Sequence, residues 1–381
     1  MNRARVIIAN STLIKYRVGG GHWMVRLQWM LGLRQLGHDA LLLELASTGC
    51  SNDDVAAFFA HLRRWGLDDA AVVVRCQDAA TEDLRGAEYL GRGERETRQA
   101  IASADFLWND CGMLRGPMLE LFRRRVFIDL DPGHLQISAL EWDLGVERHE
   151  AHLTVGTAVR DPGCGMPTLG VDWVPFLPPL HLNLWRSTDR PRLGAPVSSV
   201  THWTWDELRL DGRRLSTSKR EAYLRYLDLP GRLDVPLELA VHFHPEDRTG
   251  DPELLRLHGW RLVDPWADMA DAEGYQRYIA GSLAELSCPK PVFRELRTGW
   301  FSDRSACYLA SGRPVVAEDT GFSDHLPVGE GILTFTDVHE AAQRIQDVVE
   351  RWDLHAAAAR ALAEEYFDGK RVLQQMIDAS A

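Results

Sequence analysis

Three stretches of this sequence bring together side chains able to bind or move charge. Gly19-Gly20-Gly21 is followed at once by His22. Glycines let a backbone approach a ligand closely, and a neutral imidazole at that point is able to take a proton from a hydroxyl. The same pattern also suits a tight loop with a histidine capping the helix that follows. Asp129-Leu130-Asp131-Pro132-Gly133-His134 places two carboxylates two positions apart after an apolar run. They could share a divalent ion, supply a base through Asp131 or His134, or simply end a strand and cap a turn. The third stretch is Ser302-Asp303-Arg304-Ser305, with Gly312 beyond it. Ser302 reads as an N-cap and Gly312 as a C-terminal stop, so a helix should begin here with unsatisfied N–H groups and a partial positive charge. Such an end suits an anion, and Arg297 and Arg304 would add charge-assisted hydrogen bonds. Asp303 in the first turn opposes an anion and favours the helix dipole.

Other candidates are weaker. His149 and His152 stand three apart, His242 and His244 two apart, but no third ligand has matching spacing, so no metal site is assigned. Lys219 and Lys290 are lone lysines that could reach a phosphate or simply face solvent. Asp110, at the end of another strand, is a lesser acid.

These groups need a scaffold that gathers them. Apolar runs at 6–9, 40–45, 71–74, 105–108 and 126–130 read as strands, with helical stretches between several of them. Trp23, Leu27 and Met30 recur on one face of the helix after the glycines, and Gly37 ends it. Prolines cluster between 175 and 196 and mark a joint. Alternation then resumes, with strands at 197–201, 237–243, 261–263, 292–295, 315–318 and 332–335. Helices are expected at 275–286 and 303–311, and one over 364–375 could fold back across the first half. The expected fold class is α/β, with two Rossmann-like domains facing a central cleft: residues 1–190, residues 195–365, and a C-terminal helix over 366–381. In open sheets of this kind ligands sit beyond the carboxyl ends of the strands.

The chain has 381 residues, which favours two domains over one. Lys plus Arg number 43 against 55 Asp plus Glu, a formal charge of −12, which disfavours nucleic acid as a partner. The six cysteines show no CxxC pair and read as reduced thiols. No apolar run approaches a membrane span or a signal sequence, so a cytoplasmic protein is expected.

Two longer stretches resemble a known family. GGGHWMVRLQWMLGLRQLGHDALLLE, from Gly19, is similar to the opening of GT-B glycosyltransferases, and GWFSDRSACYLASGRPVVAEDTGF, from Gly299, resembles their donor-binding segment. The resemblance implies sugar transfer from a nucleotide-sugar donor, most simply a UDP- or TDP-sugar, to a small-molecule, glycan or peptide acceptor, with no bound cofactor and no metal. It places the acceptor in the first half near Gly19, Gly20, Gly21 and His22. The donor would meet Arg297, Ser302, Arg304 and Ser305, with Asp319, Thr320, Gly321 and Asp324 around its sugar. His202 and Trp203, after the first strand of the second half, would face the cleft. One departure stands out: the two glutamates found eight apart in many retaining members fall here on Gly299 and Cys307. That leaves open an epimerase, a phosphorylase or a non-catalytic scaffold on the same fold. An NAD enzyme is disfavoured, because the glycines lack GxGxxG spacing.

Overall fold

The computed structural model describes residues 3–16, 19–77, 84–243 and 249–381. His244 lies outside them. Continuous apolar runs suit parallel strands covered on both faces, and they supply most of two sheets. The first comprises β1 (Arg5–Asn10), β2 (Asp39–Ser47), β3 (Ala71–Cys76), β4 (Glu88–Leu90), β5 (Phe106–Asp110), β6 (Arg125–Asp129), β7 (Ala151–Thr154) and β8 (Trp173–Pro175). Its order is β4-β3-β2-β1-β5-β6-β7-β8, parallel except for β4. The rest of the strands are β9 (Val197–His202), β10 (Glu207–Leu210), β11 (Arg213–Ser216), β12 (Leu237–His242), β13 (Arg261–Val263), β14 (Ala284–Ser287), β15 (Val315–Glu318) and β16 (Ile332–Phe335). β10 and β11 form a hairpin, and the others make a parallel sheet in the order β13-β12-β9-β14-β15-β16. Each sheet therefore grows outward in both directions from its first strand. The crevices this leaves, beyond β1/β5 and beyond β9/β14, are where such sheets hold ligands.

Helix Gly20–Gln35 buries Trp23, Met24, Leu27 and Met30 against the first sheet. The end of the chain covers the same helix. Helix Gly369–Ser380 lies across it, with Leu373 so close to Gly32 that a Cβ there would stand 2.3 Å from the Leu373 side chain. Ser380 accepts a buried hydrogen bond of 3.0 Å from the Trp108 indole of β5. The helix expected over 364–375 is thus two helices, Trp352–Tyr366 and Gly369–Ser380. Leu180 separates them by bonding both Phe367 and Gly369, and Asp368 caps the second.

Two other expectations fail for tertiary reasons. Residues 292–295 are helical, within Pro291–Glu295, because Pro291 opens a turn that the apolar run only imitated as a strand. The helix expected over 275–286 stops at Gly281, and its last residues become β14. A glutamate at 285 is by itself more typical of a solvated helix face than of a buried strand. In the fold it is fully buried against Arg304.

The halves also touch through the loop before the Ser302 cap. Thr157 donates to the Gly299 carbonyl at 2.7 Å, and Ala158 and Gly165 donate backbone bonds to Thr298 and Leu296. Among the described residues no helix is long and apolar enough to cross a membrane.

Candidate functional site

The carboxyl ends of both sheets open into one cleft of about 430 Å³. A larger hollow of about 1230 Å³ lies at the opposite, amino ends of the first sheet. There Arg3 is engaged by Asp39, Arg34 by the Gly66 carbonyl and Arg92 by the Asp69 carbonyl. The cleft differs in carrying charge that the protein leaves unanswered.

Three cations line its second-half wall, and they are not equivalent. Arg304 is buried at the start of helix Asp303–Ala310, where Ser302 caps the Arg304 N–H at 3.2 Å. Its guanidinium pairs with Glu285 and donates to the Val200 carbonyl at 2.7 Å and to Ser287 at 2.9 Å. Lys290 pairs with Asp131 across the cleft and lies 3.3 Å from the His134 ring. Among the described residues Lys219 donates to the Cys288 carbonyl, at 3.0 Å, and lies over the face of Trp300 at 5.1 Å. No carboxylate among the described residues forms an ion pair with it. Burial, helped by Arg304 and Lys290, pushes its ammonium down to about 7.

The first-half wall is more nearly neutralised. Arg26 makes a buried ion pair with Asp110 at the end of β5. Behind it Glu44 accepts from Asn10 at 2.8 Å and from the Ile14 N–H at 3.0 Å, yet burial outweighs these bonds and raises its carboxyl to about 7. His22 stacks on Tyr16 and meets His202 of the other half, with ring nitrogens 3.3 Å apart. Burial, then the His202 and Arg26 charges, lower His22 to about 4, so both rings sharing this contact are held toward neutrality. At the far side His242 stacks on Trp266, ring centroids 3.5 Å apart, and both line the cleft.

The residues singled out from sequence divide clearly. His22, Gly19, Gly20, Gly21, Asp131, His202, Trp203, Ser302 and Arg304 reach the cleft. Gly20, however, is pressed by protein: a Cβ there would stand 2.4 Å from the Asp271 carbonyl. Trp203 is largely core, its indole donating to Asp251. Asp129 and Asp131 do not face one site. Asp129 is buried and accepts from Thr154, Gln136 and the Asp131 N–H, whereas Asp131 turns to Lys290. Burial alone would raise Asp131, but Lys290 and His134 bring it down to about 2. A shared divalent ion is therefore not the reading of this pair. Among the described residues no group of three or more His, Cys, Asp or Glu could hold a metal. His149 and His152 bond the Gly145 and Val146 carbonyls instead.

Arg297, Ser305, Asp319, Thr320, Gly321, Asp324 and His134 do not line this cleft. Asp319 caps its own turn through the Gly321 N–H and Ser323, Thr320 bonds the Trp300 carbonyl, and Ser305 is buried against Ser287. Arg297 and Asp324 pair with each other in solvent. Sequence reasoning missed Asp303's position between two cavities and the His242–Trp266 stack, and left Lys219 unranked. A lone lysine and a lone tryptophan carry no sequence pattern that announces a partner from another element.

The missing glutamates also find a cause. Gly299 has φ +73°, and a Cβ there would lie 2.4 Å from the Ala158 nitrogen and the Thr157 hydroxyl. Cys307 is buried beside Gln28 of the first helix. The first half fills the space that the first side chain of that pair would need.

No family model matches the chain. Over 164 residues, 42% of its length, it is 29% identical to a phosphoribosylamine–glycine ligase of Xylella fastidiosa, and it spans about a third of that relative (36%). Its structure is similar over 99% of both chains to Anabaena HepE in complex with UDP and glucose, with TM-score 0.62 and 14% identity. It is likewise similar, over 100% of both chains, to an alpha-glucosyltransferase in complex with UDP-glucose and DNA, with TM-score 0.62 and 10% identity. These likenesses are of fold, and they span both sheets and the cleft between them.

Proposed function

We propose that this chain is a glycosyltransferase that moves a sugar from a nucleotide donor to an acceptor held between its two sheets. The observation carrying this reading is Lys219, a part-buried lysine with no carboxylate partner among the described residues, set beside a helix N-terminus at the switch point of the second sheet. A diphosphate placed there supplies the missing anion. It also receives the fields of Arg304 and Lys290 and the N–H groups freed at Ser302 and Asp303. The flat His242–Trp266 stack offers a platform for the nucleobase.

The acceptor then lies against the first-half wall, by Tyr16, His22 and Arg26. Transfer breaks the bond between the anomeric carbon and the diphosphate oxygen, whose electron pair leaves with the diphosphate. The acceptor oxygen forms the new bond and releases its proton. Charge developing on the leaving group is met by the cations at the helix end, so we read the transfer as metal-independent. His22, neutral at physiological pH, is our candidate for orienting the acceptor hydroxyl. Asp131 and His134 hold Lys290 in place. The fold neighbours crystallised with UDP or UDP-glucose support a UDP- or TDP-sugar as donor. We take the acceptor to be a small molecule, glycan or peptide, in keeping with the −12 charge of the chain.

The test is thermal shift of the purified protein with UDP, TDP, GDP, ADP and NAD, each with and without EDTA. A ligand that binds the native state raises Tm. Stabilisation by UDP or TDP that survives EDTA and disappears in Lys219→Met supports the reading. Stabilisation by ADP alone would turn attention to the ligase likeness, and a shift that needs metal would refute the metal-independent site.

A further inference from the structure

Beside the cleft is a small chamber of about 50 Å³, reached past Asp303. Its walls are apolar: Val25 and Trp29 of the first helix, Leu130, Val155, Phe176 and Phe301. Gln28 also borders it, but its amide is taken by the Trp185 indole and the Cys307 sulfur. Asp303 lines both the chamber and the cleft, as do Val25, Leu130 and Trp300. Among the described residues the Asp303 carboxylate has no side-chain hydrogen-bond partner. The chamber therefore presents one acceptor oxygen at its mouth and hydrocarbon behind it.

That combination is chemically selective. A hydroxyl entering the chamber would lose its water without finding partners on the walls, which disfavours it. A bare methyl would fill the chamber but leave Asp303 unanswered. An acylamino group offers an N–H and, on the same edge of its trans amide, a methyl, in the order the chamber requires, while its carbonyl turns away toward the open cleft. Asp303 also stands next to Ser302 and Arg304, where the diphosphate is placed, so the group belongs on the donor sugar. We propose that the preferred donor carries an N-acetylamino sugar, its N–H bound by Asp303 and its methyl seated among Val25, Trp29, Val155 and Phe176. This rests on the donor site argued above. In support, burial raises the Asp303 carboxyl above its ordinary range despite Arg304 and Arg26 nearby.

The experiment is calorimetric titration with UDP, UDP-glucose and UDP-N-acetylglucosamine, with the TDP series in parallel and TDP-rhamnose as a sugar bearing a methyl but no amide. The N-acetylamino donor should bind about tenfold tighter than its glucose counterpart, the scale of one well-seated methyl group. Val155→Ile, which narrows the chamber from a wall the cleft does not share, should bring that ratio near one and leave binding of the bare nucleotide unchanged. Phe176→Trp is the substitute should Val155→Ile fail to melt cooperatively. Asp303→Ala should reduce the ratio and Asp303→Asn, which keeps an acceptor oxygen, should reduce it less. Equal affinities for the glucose and N-acetylglucosamine donors, or a preference for rhamnose, would overturn the chamber's assignment while the donor site stands. Failure of every nucleoside diphosphate to bind would remove both.

Discussion

The two switch points of this molecule face one cleft, yet they treat charge in opposite ways. Beyond β1 and β5, Arg26 is closed into a pair with Asp110, and Glu44 is held by Asn10 and Ile14. Beyond β9 and β14, Arg304 is closed into a similar pair with Glu285, but Lys219 has no carboxylate partner among the described residues. Buried charges are normally paired because desolvation is costly. A cation that the fold desolvates without pairing therefore marks where an anion from outside completes the structure. Under the proposed function, the second sheet would bind the charged part of a substrate and the first would receive a neutral one.

The largest effect expected from that contrast concerns stability. Arg304→Met leaves Glu285 buried with no partner and should cost about 3–5 kcal/mol, read from urea unfolding. Lys219→Met removes a charge the empty protein has to desolvate, and should not destabilise it. If Arg304→Met were neutral for folding and abolished only nucleotide binding, the two cations would have exchanged roles and the contrast would break.

A second effect is the pH dependence of the cleft. Lys219 titrates near 7 in the folded protein against an ordinary value of 10.5. Between those values the unfolded chain holds more protons, so this group makes the empty protein more stable as pH rises from about 7 toward 10. Diphosphate binding needs the charged form and runs the other way. UDP affinity should fall by up to about tenfold per pH unit above 7, as one required proton is lost. Lys219→Arg, charged throughout, should flatten both slopes. A UDP affinity independent of pH in the unaltered protein would sharpen the case for Arg304 and Lys290 as the whole clamp.

The smallest expected effect lies outside the cleft. Asp324 and Arg297 form an exposed pair, and Asp324→Asn should change stability by no more than about 0.5 kcal/mol and leave the UDP-induced Tm shift intact. Loss of that shift would mean that the loop after β15 closes on the sugar, as its sequence resemblance implies.

Much of this was legible in the chain. The apolar runs of β1, β9 and β15 and the Ser302 cap and Gly312 stop are local signals, and each sits where its pattern placed it. β14 was hidden because Glu285 reads as a solvated helix residue until Arg304, nineteen positions later, is folded over it. For the DxD at Asp129 and Asp131 several readings stayed open, because sequence spacing does not reveal that the two acids leave a strand end in different directions. Glycine at 20 looked like room for a ligand, whereas the second half presses against it.

By itself, then, the sequence determined the elements, their alternation and the cleft they must share, because hydrophobic period, caps and turn residues act over a few positions. Which charges are paired, which glycines are crowded and which lysine is left bare were decided only by the tertiary structure. Those properties depend on desolvation and on partners from distant segments, and neither exists until the two halves have closed on each other.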